Sequence, residues 1–176
     1  MFIKQEDLTI RNATICDVPI LGKWWRDGAV MTHAGFPKGL YITDDEIATQ
    51  LSADTDETRR RLIIEYCNTP IGEMSYYNKV NGVAEIGIKI CDFQKQEKGH
   101  GTELLKMLIN ELFYKYGYTK IIFDTNLNNK RAQYVYEKLG FRKVKVNMNS
   151  WKNQLGVLQS SVDYEMTRND FEDHID

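Results

Sequence analysis

Cysteine and histidine are scarce in this chain, and their spacing argues against a disulfide framework and a metal centre. The 176 residues include three of each. Cys16, Cys67 and Cys91 are odd in number and form no Cys-x-x-Cys pair, a pattern that indicates a reduced protein and predicts a cytoplasmic location. The histidines are scattered along the chain, so the sequence predicts no metal site.

Long hydrophobic runs and an excess of one charge are also missing. No apolar run approaches membrane-spanning length, and residues 1–7 are polar, unlike the apolar core of a signal peptide. The 23 basic and 25 acidic residues nearly cancel, so nothing indicates a nucleic-acid footprint. No repeat, low-complexity stretch or linker divides the chain. We therefore expect a single domain over residues 1–176, without a nucleic-acid or membrane partner, in which the acidic segment 167–176 is a mobile tail.

Hydrophobic periodicity and turn signals predict an α+β (mixed α/β) fold. Strands are predicted at residues 8–13, 61–67, 71–77, 83–90, 119–124, 141–149 and 160–166. Helices are predicted at residues 14–27, 43–51, 102–116 and 129–139, with capping signals at Thr14 and Thr43 and an ordered loop at 31–41. Asn81-Gly82 is a hairpin signal, and the strand–helix–strand order around Gly99 requires one parallel pair. The expected core is a central mixed, mainly antiparallel twisted sheet flanked by helices.

A glycine-punctuated loop, Gln96-Glu97-Lys98-Gly99-His100-Gly101-Thr102, runs directly into an amphipathic helix. The first N–H groups of a helix lack intrahelical partners, and the macrodipole adds about half a positive charge there. Gly99 and Gly101 leave the backbone bare, so a pyrophosphate could approach it closely, and Lys98 adds a cation. Two glycines that merely ease a turn before a helix would give the same local pattern.

A second motif lies about thirty residues further on, with Asn129, Ala132, Tyr136, Gly140 and Phe141 as its key positions, and together the two motifs resemble those of one family. The chain resembles the GNAT superfamily of acyl-CoA-dependent N-acetyltransferases. The pyrophosphate motif of that family, Gln/Arg-x-x-Gly-x-Gly/Ala, is matched by Gln96, Gly99 and Gly101. Its second motif, Asn-x-x-Ala-x-x-x-Tyr-x-x-x-Gly-Phe, is matched by Asn129, Ala132, Tyr136, Gly140 and Phe141. The resemblance is firm over residues 84–141.

The resemblance implies a GNAT-like fold and transfer of the acetyl group of acetyl-CoA to an amine, with acetyl-CoA as co-substrate and no metal. It also implies that the strand at 83–90 splays from the strand at 121–124 and opens a wedge for the cofactor. The implied cofactor residues are Ile88, Lys89, Ile90, Gln96, Glu97, Lys98, Gly99, His100, Gly101, Thr102, Asn129, Arg131, Ala132 and Tyr136. Asn129 could equally cap its helix, Arg131 could be solvated, and His100 could be a solvated loop side chain or a catalytic one.

Two side chains are candidates for proton transfer. Tyr136 stands where the family usually places a tyrosine beside the sulfur, so the resemblance implies a general acid for the departing thiolate. The alternative is that Tyr136 packs in the core. Alternation places Glu85 opposite the apolar face of its strand, where it could accept the proton of the amine or pair with a basic residue of a neighbouring strand. Glu73, Glu65 and a water chain are alternatives for the base.

The acceptor is the least determined part of the prediction. The family binds acceptors between the first two helices and the strand ends, where this chain offers aromatic residues beside acids, a pattern that suits a cation. The candidate acceptor residues are Trp25, His33, Phe36, Tyr41 and Glu73. The acceptor would be a small amine, aminoglycoside- or polyamine-like, or a peptide N-terminus, and the protein a monomer or homodimer. Two non-enzymatic alternatives remain: an acyl-CoA sensor of the same fold, and an unrelated nucleotide-binding module.

Overall fold

The structure, a computed structural model, describes residues 1–175. Its strands are β1 (Phe2–Gln5), β2 (Leu8–Asn12), β3 (Arg59–Tyr66), β4 (Thr69–Lys79), β5 (Val83–Ile90), β6 (Lys120–Asn126), β7 (Arg142–Lys152) and β8 (Leu158–Thr167). Its helices are α1 (Val18–Trp25), α2 (Gly28–Met31), α3 (Asp44–Ser52), α4 (His100–Tyr114), α5 (Lys130–Lys138) and α6 (Arg168–Ile175). All seven predicted strands and all four predicted helices are present.

The chain falls into two compact units. The sheet unit comprises Met1–Ala13, Asp54–Phe123 and the residues from Met166 onward. The helix–hairpin unit comprises Thr14–Ala53 and Asp124–Glu165. The single domain expected over residues 1–176 stays a prediction.

In the sheet unit the strands lie in the order β1-β2-β3-β4-β5-β6. The first five form an antiparallel meander, and β5 pairs with β6 in parallel, as the strand–helix–strand order requires. The hairpin signal is confirmed, because Asn81 and Gly82 both adopt the left-handed conformation, with φ of 62° and 72°. The mixed, mainly antiparallel sheet is therefore as predicted.

One face of this sheet is apolar and is covered by α4, which packs against β2 and β5. The fully buried core there comes from alternate strand positions and from the apolar stripe of α4: Ile10, Leu62, Ile64, Met74, Tyr76, Leu104, Leu108, Leu112 and Phe113. On β5 the alternation is as predicted, since Ala84 and Ile86 are buried on this face. The opposite face of the sheet unit carries the charged side chains of β3, β4 and β5.

Two elements of the sheet unit were not expected. Strand β1 pairs with β2 from Phe2↔Arg11 to Gln5↔Leu8, but its side chains are mostly exposed, so no hydrophobic period marks it in the sequence. The tail predicted at 167–176 is wrong for the described residues, because helix α6 forms there and Phe171 is buried against the Phe113 ring. The Thr167 N–H donates to the Asp170 carboxylate at 2.8 Å and caps the helix. Asp176 lies outside the described residues.

In the helix–hairpin unit both predicted capping signals are confirmed. The Thr14 N–H donates to the Asp17 carboxylate and the Thr43 N–H to the Glu46 carboxylate, each at 2.7 Å. The loop expected at 31–41 is shorter than predicted, because α2 and a 3₁₀ turn, Thr32–Ala34, occupy its start. Strands β7 and β8 form an antiparallel pair, and β8 lies beside the end of β6, where the Leu127 N–H donates to the Ser160 carbonyl.

A candidate acyl-CoA site

The glycine loop opens α4 with its backbone uncovered. Gly99 is the N-cap, with φ of +82°, and its carbonyl accepts the N–H groups of Thr102 and Glu103 at 3.0 and 3.3 Å. A Cβ built on Gly99 would meet nothing within 4 Å, and one built on Gly101 would meet only Ile90 Cδ1 at 3.7 Å. The first amides of a 15-residue helix are thus accessible to a bulky anion, and the loop fits the pyrophosphate of an acyl-CoA.

Gln96 joins this loop to the end of β5. Its side-chain amide donates to the Ile90 carbonyl at 2.8 Å. The structure therefore brings the predicted set at Ile88–Ile90 next to the predicted set at Gln96–Thr102. Gln96 therefore has a structural role, because its hydrogen bond fixes the loop. The motif alone did not specify this role.

His100 packs against an aromatic neighbour. Its ring lies 4.8 Å from the ring of Tyr66, and the Lys95 ammonium lies 4.6 Å from the centre of the same tyrosine ring. Neither of the two interpretations of His100 included this contact. It could not be predicted from the sequence, because Tyr66 at the end of β3 and His100 at the start of α4 meet only in the folded protein.

Strand β5 has an open edge at its C-terminal end. Its parallel pairing with β6 covers Val83↔Lys120 to Glu85↔Ile122, while its antiparallel pairing with β4 continues to Gly72↔Ile90. Among the described residues, strand pairing from Ile86 to Ile90 is therefore with β4 alone. This matches the splay that the resemblance implies, and an open strand edge can pair with the amides of an extended pantetheine arm.

The three candidate carboxylates of the sheet unit are in ion pairs, including Glu65, which accepts from Arg11 Nε at 2.8 Å. Glu85 accepts from Lys79 Nζ at 2.7 Å, and Glu73 accepts from Lys89 Nζ at 2.8 Å. The alternative interpretation of Glu85, an ion pair with a neighbouring strand, is thus what the structure shows. It leaves the role of base open, because Glu85 is about one-third exposed and an exposed pair is weak.

The start of α5 confirms the structural interpretation of Asn129. Its side-chain oxygen accepts the Ala132 N–H at 3.2 Å, as an N-cap does. Arg131 is exposed. Gln133 was not predicted: it is buried, and its amide donates to the Leu127 carbonyl at 2.8 Å, which ties the helix to the turn after β6. A polar residue beside the apolar stripe gave no signal in the sequence.

Tyr136 is buried among aromatic rings, with 8% of its surface exposed. Its ring stands edge-on to those of Phe141 and Tyr164, with centres 6.3 and 5.9 Å away. Burial, and secondarily the charge of Asp124, raises the pKa of Tyr136 to about 12. The phenol is therefore protonated at any ordinary working pH, but it is a weaker acid than an ordinary tyrosine, whose phenol titrates near 10.

Tyr164, which the sequence did not single out, packs edge-on against the ring of Tyr136. Its hydroxyl donates to Glu137 Oε1 at 2.8 Å, and Lys143 Nζ lies 2.9 Å from the same oxygen. Burial and the bond to Glu137 raise the pKa of Tyr164 as well. Because the Tyr164 ring is fixed in this way, it limits the positions that the Tyr136 ring can take.

We expect the buried Tyr136 to destabilise the protein in alkali. The folded state holds the Tyr136 proton more tightly than the unfolded chain, where a phenol titrates near 10, so its stabilising contribution is complete below about pH 10 and falls as pH rises toward about 12. The slope is about 1.4 kcal/mol per pH unit. Urea unfolding of the wild type and Tyr136→Phe, followed across this range, should show a shallower decline for the variant. Equal slopes would contradict the burial of the phenol.

The candidate acceptor residues of the helix–hairpin unit divide into two groups. Trp25, predicted as an acceptor contact, is buried at 6% exposure and is a core residue. Tyr41 is 86% exposed, Phe36 is partly exposed, and His33 is exposed in the Thr32–Ala34 turn. The acids nearby are largely occupied, since Asp44 binds Arg26 and Glu46 caps α3.

The segment that carries Phe36 is held by Gln154, a residue that the sequence did not single out. The Lys38 N–H donates to Gln154 Oε1 at 2.8 Å, Gln154 Nε2 donates to the Gly39 carbonyl at 2.9 Å, and the Gln154 N–H donates to the Gly35 carbonyl at 2.8 Å. Trp151 packs against Gly35 so closely that a Cβ there would lie 2.5 Å from its ring. No local signal in the sequence could indicate a tie across more than a hundred residues.

A comparison with known protein families shows which family has this fold and these motifs. The model of the acetyltransferase (GNAT) domain matches residues 7–142 of the 176-residue chain. The chain belongs to the GNAT acetyltransferase family. This GNAT acetyltransferase is accordingly an acyltransferase, and the resemblance seen in its two motifs is confirmed.

Solved structures share the fold of this GNAT acetyltransferase. A spermidine N-acetyltransferase from Vibrio cholerae, in complex with CoA and spermine, is 20% identical over 96% of this chain and 99% of that one, with a TM-score of 0.85. RimL, a ribosomal L7/L12 α-N-protein acetyltransferase in complex with CoA, is 15% identical over 95% and 98%, with a TM-score of 0.83. A GNAT-family acetyltransferase from Bacillus anthracis is 20% identical over 96% and 99%, with a TM-score of 0.79.

Two further observations concern membranes and metals. None of the helices within residues 1–175 is both long and apolar enough to span a bilayer. In the described part of the chain, no three His, Cys, Asp or Glu side chains are grouped so that they could hold a metal ion.

Proposed function

We propose that this GNAT acetyltransferase uses acetyl-CoA to acetylate a primary amine by direct attack of the amine within a ternary complex. The observation that carries the proposal is the uncovered start of α4, which the Gln96 hydrogen bond holds against the open end of β5. Two of the structural relatives are complexes with CoA, which supports this choice of ligand. The glycine loop Gln96–Thr102 would take the pyrophosphate and the backbone of Ile88–Ile90 the pantetheine amides.

The same end of β5 would also stabilise negative charge. When an amine attacks the thioester, charge develops on the carbonyl oxygen, and backbone N–H groups fixed in position lower the barrier because they need not reorganise. Strand β5 is held in place by its antiparallel pairing with β4, from Lys79↔Val83 to Gly72↔Ile90. We assign this function to the backbone donors near Ile88–Ile90.

Tyr136 would supply the proton for the departing thiolate. With a pKa of about 12 it is protonated at neutral pH, as a proton donor must be. Complete transfer to a thiolate, whose conjugate acid titrates near 8.5, is uphill by about 5 kcal/mol. Tyr136 would therefore act first as a hydrogen-bond donor to the developing charge, and complete the transfer as the product separates.

Glu85 is our candidate for the base that takes the proton of the amine, and Glu85→Gln tests it. If Glu85 is the base, the ascending limb of the pH–rate profile should change, and activity should recover mainly near the pKa of the substrate amine. If Glu85 only pairs with Lys79, the variant should lose about 1 kcal/mol of stability or less and keep the wild-type profile.

Lys79→Gln is the matched control for this experiment, because it breaks the same ion pair but keeps the carboxylate. A wild-type pH profile in Glu85→Gln would remove Glu85 from the mechanism and make Glu73 or a water chain the candidate.

The acceptor follows less directly from the geometry. One relative acts on spermidine and another on a ribosomal protein, which supports a small amine, polyamine- or aminoglycoside-like, or a peptide N-terminus as the acceptor class. Exposed Tyr41, Phe36 and His33 and the partly exposed Glu73 remain the candidate acceptor contacts. A monomeric or homodimeric state and a cytoplasmic location remain predictions.

The test of the proposed function is a screen for CoA release from acetyl-CoA, with polyamines, aminoglycosides, amino acids and peptides with free N-termini as acceptors. We expect acceptor-dependent release with at least one class. The alternative, a non-catalytic acyl-CoA sensor of the same fold, predicts calorimetric binding of acetyl-CoA without turnover of any acceptor.

A further inference from the structure

Four carboxylates on or beside the polar face of the sheet unit, which is formed by alternate residues of β2, β3, β4 and β5, are paired with basic side chains. The four ion pairs are Glu85–Lys79 at 2.7 Å, Glu73–Lys89 at 2.8 Å, Asp54–Arg61 at 2.5 Å and Glu65–Arg11 at 2.8 Å. A polycation that bound this face would have to displace a lysine or an arginine from each carboxylate that it used. The face is therefore poorly suited to a polyamine.

Arg59 is a further cation on the same face. It begins β3, opposite Tyr77 on β4, and Tyr77 is in turn opposite Glu85 on β5. Its guanidinium lies 4.4 Å from the centre of the Tyr77 ring, and its buried Nε makes no hydrogen bond to the residues that the structure describes.

The charge of Arg59 is only partly compensated. Burial, and then the neighbouring charge of Arg61, lowers the pKa of Arg59. Asp54 and Glu73 lie close enough to offset some of this effect, but each is already paired with another base. An anionic ligand would stabilise this half-buried guanidinium electrostatically. The guanidinium is already partly desolvated in the folded protein, so binding adds little further desolvation cost on its side.

Between Arg59 and the end of β5, the face carries small residues on β4 and β5. The next row of the face is Ser75 opposite Gly87, and a Cβ on Gly87 would meet only Ser75 Oγ, at 3.2 Å. Arg59, Tyr77 and Glu85 face one another across β3, β4 and β5, so Arg59 lies in the same row as our candidate base. A ligand whose carboxylate contacts Arg59 would therefore extend along this row toward Glu85, where we place the amine.

We propose that the acceptor is an amine that carries a carboxylate a few bonds from its nitrogen, as in a peptide N-terminus with an acidic side chain, and that Arg59 binds this carboxylate. The inference rests on the proposed function and specifies its acceptor. The planar guanidinium can hold a carboxylate through two parallel hydrogen bonds, and the Tyr77 ring fixes its plane. Polyamines lack the group that Arg59 would recognise.

The test uses two peptides of equal length with free N-termini that differ only in their second residue, aspartate or asparagine, and spermidine as a third acceptor. For the wild type we expect kcat/KM with the aspartate peptide to exceed that with the asparagine peptide about tenfold or more. Arg59→Gln should remove this preference. Arg60→Gln is the matched control, because Arg60 lies on the opposite face of β3, paired with Asp56, and should leave the preference intact.

Any one of three results would overturn the inference but leave the proposed function intact. These are equal rates with the two peptides, a preference that survives in Arg59→Gln, and spermidine as the best acceptor. If Arg59→Gln fails to fold, Arg59→Lys decides, since it keeps the charge but loses the planar fork and should retain only part of the preference. A protein that binds acetyl-CoA by calorimetry but acetylates none of the three acceptors would overturn the inference. The proposed function itself fails only if the wider screen finds no acceptor.

Discussion

Gly101→Glu should abolish most acetyl-CoA binding while the protein remains folded. Gly101 lies in the first turn of α4, has no left-handed backbone, and its added Cβ would meet only Ile90 Cδ1 at an ordinary 3.7 Å. The new carboxylate would stand beside the pyrophosphate, and a like-charge contact of this kind costs several kcal/mol. Calorimetry should therefore show a dissociation constant at least about 100-fold weaker.

Two control variants separate the possible causes at Gly101. Gly101→Gln has the same bulk without the charge and should lose less affinity, and Gly101→Ala should lose least. Gly99 is a poorer site for this test, because with φ of +82° any side chain there is strained by about 1 kcal/mol or more. Wild-type affinity in a folded Gly101→Glu variant would exclude the glycine loop as the pyrophosphate site.

Tyr136→Phe should lower turnover on the order of 100-fold and leave acetyl-CoA affinity nearly unchanged. The substitution keeps the ring and its edge-on contacts with Phe141 and Tyr164, and removes only the hydroxyl. Single-turnover and steady-state measurements with the best acceptor should show the loss in kcat rather than in KM for acetyl-CoA.

Tyr134→Phe is the matched control for this variant. Tyr134 lies on the same helix two residues away but is 68% exposed, so the loss of its hydroxyl should change neither turnover nor affinity. Full activity in Tyr136→Phe would mean that Tyr136 is only a packing residue, as the alternative interpretation of the sequence held.

Local signals allowed much of the fold to be predicted. The Thr43 capping box, the Asn81-Gly82 turn and the alternation along β5 each depend on residues within a few positions of one another, and the structure confirms all three. The strand–helix–strand order predicted the parallel β5–β6 pair, because parallel neighbours need a long crossover connection and the helix between these strands supplies one. Strand β1 and helix α6 were missed because neither has a clear apolar period.

The candidate site was predicted only in part, because the sequence shows local patterns but not contacts between residues far apart in the chain. The glycine loop and the Asn129 cap could be recognised because their function is carried by the backbone and by neighbouring residues. Gln154, which ties the Gly35–Gly39 segment, and Tyr164, which limits the Tyr136 ring, act across long separations that no local pattern records.

The sequence by itself determined the class of the protein, because each of the two motifs is a local pattern of residue types that can be recognised along the chain. Only the tertiary structure decided how the charged side chains are used. Strand register pairs Glu85 with Lys79 and Glu73 with Lys89, and it places Arg59 over Tyr77. Such pairing depends on which residues face each other across strands, and burial sets the pKa of Tyr136, so neither follows from the order of residues along the chain.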